Sequence, residues 1–395
     1  MLSPAHRDFL FSMLRDLIRT PSPSGREGAC AQLVQKYMQR LGFSGLSSDI
    51  YGNVTGRFKF GSGPVLLMDS HLDHAGVSDA ERWTHYPFGA DLADGKIWGR
   101  GALDNKGAMA AMLIAAHLAS QSPEDLRGSL CFGGSVYNKL MEGVSAEGLV
   151  DTCRPDYVLI GEASDHYLMH GQRGRAEILI ETRGRSALTA MPQWGVNAVD
   201  KMMLIIAELN HRRRGLPRHP LLGEVIMELT EINSSPYIEV NVTPDRCRVR
   251  FDRRFPVGET KGDILDRIRG VIAEMNSADC GFEAEVSLAN KEHRCYTGVT
   301  LATDAFWPAW LLPERHPLVR AAEKGLAAVG LPPQKSTYPF STNASYYAGV
   351  LGLPTIGFGP RPISAYHQVD ESIALADLEE LCLAYYGIIR SVLAA

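Results

Sequence analysis

The sequence predicts an α/β fold: a mostly parallel sheet flanked by helices, with a smaller α+β unit inserted into it. Three observations carry this. Residues 65–69 and 156–161 are apolar at nearly consecutive positions, the pattern of strands buried on both faces in a helix-covered parallel sheet. The Ala/Met-rich segment 107–119 between them predicts a buried helix. Between 173 and 306 the pattern changes, and strands such as 176–182 alternate apolar with charged residues, as a sheet with one wet face does.

The elements follow in order. Residues 3–18 carry Phe9, Leu10, Met13, Leu14 and Leu17 at helical spacing. Thr20-Pro-Ser-Pro-Ser24 breaks that helix, and Ser24 with Glu27 predicts a capping box for a second one reaching about 41. Strands are expected at 54–60, 65–69, 130–137 and 156–161, with a helix near 145–150. The middle section predicts a strand at 176–182 and a helix at 197–210, then strands at 238–242 and 246–251. A helix at 263–275 and a strand at 282–288 complete it, which is the order of a ferredoxin-like unit. A helix, a short strand at 354–358 and a terminal helix close the chain. The expected domains are 1–172 plus 307–395, and an insert at 173–306.

With 395 residues, 45% hydrophobic and 22% charged, the composition excludes a disordered, collagen-like or coiled-coil chain. A net charge of −5 implies no broad basic face for nucleic acid. The run Arg212-Arg-Arg214 reads as a solvated helix C-terminus that suits the helix dipole. No apolar run approaches the roughly 20 residues that span a bilayer, and the first ten residues lack the pattern of a signal peptide. Seven cysteines without a CxxC spacing read as reduced thiols, so the expected location is the cytoplasm.

The informative polar residues follow apolar strands, where open α/β sheets hold their ligands. His71-Leu-Asp73-His74 follows the strand at 65–69. Gly99-Arg-Gly101-Ala-Leu-Asp104-Asn-Lys106-Gly107 opens the Ala/Met helix, and Gly161-Glu162 ends the strand at 156–161. His367 lies in a late loop before Asp370-Glu371. Two histidines, an aspartate and a glutamate converging on one sheet edge form a ligand set suited to zinc, with manganese or cobalt compatible.

In this order, HxD, GRGxxD with a lysine two residues on, GE and a late histidine, the chain resembles the zinc-dependent amidohydrolases. That family includes aminoacylase, carboxypeptidase G, acetylornithine deacetylase and succinyl-diaminopimelate desuccinylase. Pro21-Ser-Pro-Ser-Gly-Arg-Glu27, Gly195-Val-Asn-Ala198, Asp252-Arg-Arg254 and Gly357-Phe-Gly-Pro360 extend the match over nearly the whole chain. Residues 307–310 and Ser341-Thr-Asn343 look like the branch linked to selenium metabolism. The resemblance implies a zinc-peptidase-like α/β domain, an insert that serves as a dimerisation lid, a homodimer, and a small amino-acid-like substrate. It implies two zinc ions bridged by Asp104, one also held by His71 and Glu162, the other by His367 and the second Glu of a Glu-Glu pair. The first Glu of that pair is the family's general base. Asp73 would orient His71, and Arg254 would meet a substrate carboxylate, unless it is a strand-end charge. Asn241 and Asn343 either hydrogen-bond substrate or cap turns.

The chain departs from this pattern where the chemistry is done. Asn138 and Lys139 stand at the Glu-Glu pair, and Leu188 stands at the histidine that polarises the substrate carbonyl across the dimer. An amide takes no proton from water at neutral pH, so a general-base contribution of roughly 10²–10⁴-fold is missing. The exchange shifts local charge by about +3, which opposes a second cation. One ion rather than two is therefore expected, on His71, Asp104 and Glu162. Lys139 would be a counter-charge, an acid/base or an amine nucleophile in the pocket, or else a surface lysine on a drifted loop. Three functions stay open. One is an atypical enzyme using one metal and Lys139 for a cyclisation, elimination, isomerisation or acyl transfer. Another is an ordinary hydrolase with Glu142 or His74 as a replacement ligand. The third is a non-catalytic protein that binds a small ligand.

Overall fold

A computed structural model divides the chain into two compact units. The first comprises Met1–Gln172, Glu292–Ala302 and Leu311–Ala395, the second Arg173–Lys291 and Thr303–Trp310. The structure describes residues 2–212, 215–216, 218–236, 240–278 and 283–395, the side chains of 277 and 278 excepted.

The first unit is built on a twisted sheet in the order Ser44–Ser48, Val54–Lys59, Ser129–Ser135, Val65–His71, Tyr157–Ile160, Thr355–Gly357, Leu168–Gln172. Its four central strands, from Ser129–Ser135 to Thr355–Gly357, are mutually parallel. Val65–His71 lies between two of them and is buried from Leu66 onward, which is why its sequence is apolar on consecutive positions. The Gly107–Ser120 helix is buried along most of its length, so it shows no polar stripe. It lies against the terminal helix Leu375–Val392 and the first helix, Pro4–Ile18.

The second unit is an antiparallel βαββαβ sheet in the order Ile226–Ser235, Arg246–Phe255, Gly174–Arg183, Glu283–Leu288. Helices Ala198–Arg212 and Lys261–Ala278 supply its α layer. Ala176, Ile178 and Ile180 alternate with Arg175, Glu177 and Glu181 along one strand, so the first set joins the core and the second forms ion pairs: Glu181 with Arg248, Glu177 with Arg250, and Arg175 with Asp252.

Several expectations are corrected. The capping box does not form: the second helix is Gly28–Arg40, and its N-cap Glu27 makes no side-chain cap bond. Ser24 instead donates to Asp73. The expected strand at 238–242 is turn and an isolated bridge from Val240 to Val242, its first two residues lying outside the described set. The strand that pairs with Arg246–Phe255 is Ile226–Ser235. The helix expected at 145–150 is Ala146–Cys153. Arg213, Arg214, Cys280 and Phe282 lie outside the described residues, and the other six cysteines are free. Among the described residues no helix is long and apolar enough to cross a membrane.

Candidate metal centre

The register of the parallel strands brings the site together. Asp69 pairs with Ile160 and His71 with Ser135, so the segments after three neighbouring strands leave from one sheet edge. They carry His71 and Asp73, Asn138 and Lys139, and Glu162. Asp104 comes from the loop that opens the buried helix. Gly101 takes φ 92° there, which favours glycine. Glu371 clamps that loop: one carboxylate oxygen accepts the backbone N–H groups of Gly101, Leu103 and Asp104, and the other accepts Arg100 at 2.7 Å.

Asp104 is the hub. Its Oδ1 lies 2.9 Å from His71 Nε2 and accepts Lys139 Nζ at 2.7 Å, while its Oδ2 meets His367 Nε2 at 2.6 Å. His71 Nε2 is 3.5 Å from Glu162 Oε1, and Tyr366 donates its hydroxyl to Glu162 Oε2. The Tyr366 ring stacks on His367 and faces the Lys139 ammonium, 5.2 Å from its centroid. His71 Nδ1 meets the Asp73 backbone oxygen at 2.8 Å, which leaves Nε2 aimed at the two acids.

The charges are set by these neighbours. Burial and the Lys139 charge press on His71, yet Glu162, Asp104 and Asp73 hold it up to about 10. Burial opposes the Lys139 charge too, but Asp104 and Glu162 raise its pKa above the ordinary lysine value. Asp104 is buried, and Lys139 with the two histidines nonetheless holds its carboxyl well below the usual range. The acids around Lys139 thus favour its ammonium form.

His71, Asp104 and Glu162 each offer one ligand atom within 4.8 Å of the others, and all three are buried. One imidazole and two carboxylates fit a single divalent ion such as zinc. Among the described residues no second such group forms. Asp104 Oδ2 meets His367, and the Lys139 ammonium, which cannot ligate, sits on Oδ1, the oxygen that also meets His71.

Asn138 is turned away from Asp104. Its Nδ2 donates to Asn343 Oδ1 at 2.9 Å. Asn343 also accepts Gly143 N–H, and donates to Asp69 and Ser135. Asp73 accepts the backbone N–H groups of Asn138 and Lys139 and so holds their loop. Two further expected residues lie in the second unit. Arg254 pairs with Asp252 at 2.6 Å, and exposed Asn241 accepts Thr189 N–H through its backbone oxygen. Leu188 bridges Val242 and is half exposed.

Neither replacement ligand joins the cluster. His74 accepts Ser22 N–H at Nε2 and its Nδ1 bonds Ala75 O; burial and Lys106 lower it to about 4. Glu142 is absent from the ligand group. Tyr366, Glu371 and Glu27 were not anticipated as site residues. Tyr366 and Glu371 flank His367 in the late loop, and that adjacency is the one signal the sequence offers for them.

The description Peptidase family M20/M25/M40 matches residues 67–391. The uncharacterized protein YgeY of Escherichia coli (strain K12) is 32% identical over 382 residues, covering 95% of this chain and 92% of that one. Succinyl-diaminopimelate desuccinylase of Phenylobacterium zucineum (strain HLK1) is 29% identical over 392 residues, covering 95% and 96%. Among solved structures, aminopeptidase PepT from Bacillus cereus superposes with a TM-score of 0.74 at 17% identity, covering 98% of each chain. Bacillus subtilis YXEP, a dinuclear metal binding peptidase of the M20 family, gives 0.75 at 15% identity, covering 99% of each. These likenesses agree with the mixed α/β fold, and the sequence matches extend over the site: the chain belongs to peptidase family M20/M25/M40.

Proposed function

We propose that this chain is a one-metal member of its family in which Lys139 takes the place of a second ion. It acts on a small amino-acid-derived substrate by a reaction other than two-metal amide hydrolysis. The observation that carries this is the 2.7 Å contact of Lys139 Nζ with Asp104 Oδ1, made while the Asn138 amide turns to Asn343.

His71, Asp104 and Glu162 would hold the ion, zinc foremost, with manganese or cobalt compatible. When bound, it supplies Lewis acidity toward a substrate oxygen. The rest is work for the chain's own groups. Lys139 neutralises Asp104 and presents a fixed positive charge. Asn138 has no basic atom to take a proton from water, and it ties the Lys139 loop to Asn343 instead. Asp73 holds that loop through two backbone N–H groups and steadies the His71 ring. Tyr366 orients Glu162 through its hydroxyl, and His367 steadies Asp104. These roles suit elimination, cyclisation, isomerisation or acyl transfer, in which no water must be activated, better than hydrolysis. Arg254 and Asn241 are our candidates for substrate binding, Arg254 toward a carboxylate. The second unit is our candidate for homodimer formation, and the free cysteines support a reducing, cytoplasmic setting.

Metal content per chain tests this, measured on protein purified without chelator and again after zinc addition. One ion is expected, rising to two in the Asn138→Glu/Lys139→Glu double variant, which should also gain hydrolysis of N-acyl amino acids. Two ions in the unaltered chain would overturn the lysine reading. None after zinc addition would overturn the one-metal reading and leave a metal-free enzyme or a protein that binds its ligand without turnover.

A further inference from the structure

Within the first unit, the helix Ala146–Cys153 packs on the strand Ser129–Ser135. A glycine makes the approach close: a Cβ on Gly133 would meet the Leu149 side chain at 2.9 Å. Cys131 lies two residues before Gly133 and shares its face of the strand. Cys153 lies four residues after Leu149 and shares its face of the helix. The two thiols accordingly meet, Cys153 donating a hydrogen bond toward the Cys131 sulfur. Arg57 joins them from the neighbouring strand. It stands opposite Cys131 in register, and its Nη2 donates to the Thr152 backbone oxygen at 2.9 Å. Cys131 is 1% exposed and Cys153 3%.

The Cys153 hydrogen bond, and then the Arg57 charge, hold the Cys131 thiol below its ordinary value against its burial. The same contact, with burial, pushes Cys153 up. The two sulfurs therefore differ in role. Cys131 gains thiolate character, the form that acts as a nucleophile, and Cys153 keeps its proton beside it. Burial instead pushes up the thiols of Cys30, Cys247, Cys295 and Cys382, which withholds their thiolates. Cys153 ends its helix, and Arg154 after it takes φ 50°. Such helix ends open locally without global unfolding, and a hydroperoxide as small as hydrogen peroxide needs little room.

We propose that Cys131 and Cys153 are a modification site, forming a reversible disulfide when the chain meets a hydroperoxide. The Cys131 thiolate attacks one peroxide oxygen and the O–O bond breaks. With hydrogen peroxide the leaving hydroxide takes up the proton that Cys131 had released and departs as water. The Cys153 sulfur then attacks the Cys131 sulfenic acid, whose hydroxyl leaves with the Cys153 proton as a second water. The two thiols supply both electrons that reduce the peroxide. The bond closes a ring over residues 131–153, which contains Asn138 and Lys139. A dithiol reverses it by exchange. The site does not depend on the Lys139 reading.

Peptide mapping tests this on the full, folded chain, exposed to millimolar hydrogen peroxide, quenched with catalase and then alkylated in urea. Trypsin leaves Cys131 in residues 128–139 and Cys153 in residues 140–173, because Pro155 blocks cleavage at Arg154. These two peptides should appear linked, and should separate after dithiothreitol. Cys30, Cys247, Cys295 and Cys382 should remain alkylated. Cys153→Ala removes the resolving sulfur, so the Cys131 sulfenic acid should persist and give at least roughly tenfold more dimedone adduct than the unaltered chain. The linked peptides are read on the unaltered chain and so do not depend on how the variant folds. A Cys131 that stays alkylated after peroxide, its linkage to another cysteine, or linkage that forms only when peroxide is added in urea would each overturn the site. A variant without the adduct would overturn Cys131 as the attacking sulfur.

Discussion

The ammonium of Lys139 and the carboxylate of Asp104 meet at 2.7 Å, on the oxygen that also faces His71. Asp104 is fully buried and Lys139 nearly so, so water does little to screen the pair. Two charges this close in a protein attract strongly, and removing one strands the other. The same carboxylate has His367 on its second oxygen. Lys139, His71 and His367 thus all bear on the Asp104 carboxylate, and among the described residues His71, Asp104 and Glu162 form the one group with the donors of a metal site.

Lys139→Met should lower stability in chelator by about 3 kcal/mol, the lower range for breaking a buried pair. Zinc should then restore the variant by a larger melting shift than it gives the unaltered chain, because the repelling charge is gone. Thermal melts with and without zinc measure both effects. Equal stability of variant and parent, within about 0.5 kcal/mol, is the result expected of an ordinary surface substitution and would return Lys139 to the surface.

Asn343→Asp tests the anchor beneath the Lys139 loop. Asn343 Nδ2 lies 2.8 Å from Asp69 Oδ2, and burial already raises the Asp69 pKa despite the donors around it. A second carboxylate at that distance cannot ionise alongside the first. The variant should lose about 3–5 kcal/mol at pH 8, and less at pH 5, where the pair holds a proton more easily. Urea midpoints at the two pH values read this. A pH-independent loss would mean that the amide acts through its shape alone.

The legible parts of this molecule were those with local patterns. Two buried strands showed as apolar runs, and the ferredoxin-like order emerged from alternation in Gly174–Arg183 and Arg246–Phe255. The Ile226–Ser235 strand did not, because only Met227 is buried in it, and a strand wet on both faces has no period to detect. Residues 238–242 alternate apolar with polar, yet the described part is turn and an isolated bridge. At the site, His71, Asp104 and Glu162 were readable because each follows a strand or a glycine loop. Glu371 acts by accepting backbone amides about 270 positions away in the chain, and Tyr366 by donating to Glu162. No neighbouring residue announces such partners. Ser24 and Glu27 have capping-box spacing, but their side chains bond Asp73, Gly25 and Tyr137 instead.

The Ile226–Ser235 strand ends its sheet among the described residues, and Ile226, Leu229 and Ile232 are 39%, 38% and 51% exposed. An exposed ten-residue edge with apolar side chains invites pairing with another strand. Light scattering of the full chain should give twice the mass of one copy, and Ile232→Lys should shift the population toward single copies without changing its circular dichroism. A parent that runs as a single copy at micromolar concentration would remove the homodimer.

Glu27 gives the clearest pH signature. Its carboxyl is fully buried, with Oε1 accepting Gly25 and Tyr137 N–H groups and Oε2 without a partner among the described residues. Burial, and then the Asp73 charge, raise it to about 7. The folded chain therefore holds a proton that the unfolded chain releases near pH 4.5. Stability from this group is full below that value and is lost as pH rises through 7, by about 3 kcal/mol in all. Glu27→Gln keeps the shape, stays neutral and puts an amide at the unpartnered oxygen. The variant should match its parent at pH 4.5 and exceed it by about 1–3 kcal/mol at pH 8, the difference opening between pH 5 and 7. Taking the difference at each pH cancels the other titrating groups. Denaturant unfolding across that range measures it, and a constant offset between the two proteins would show that Glu27 is ionised throughout.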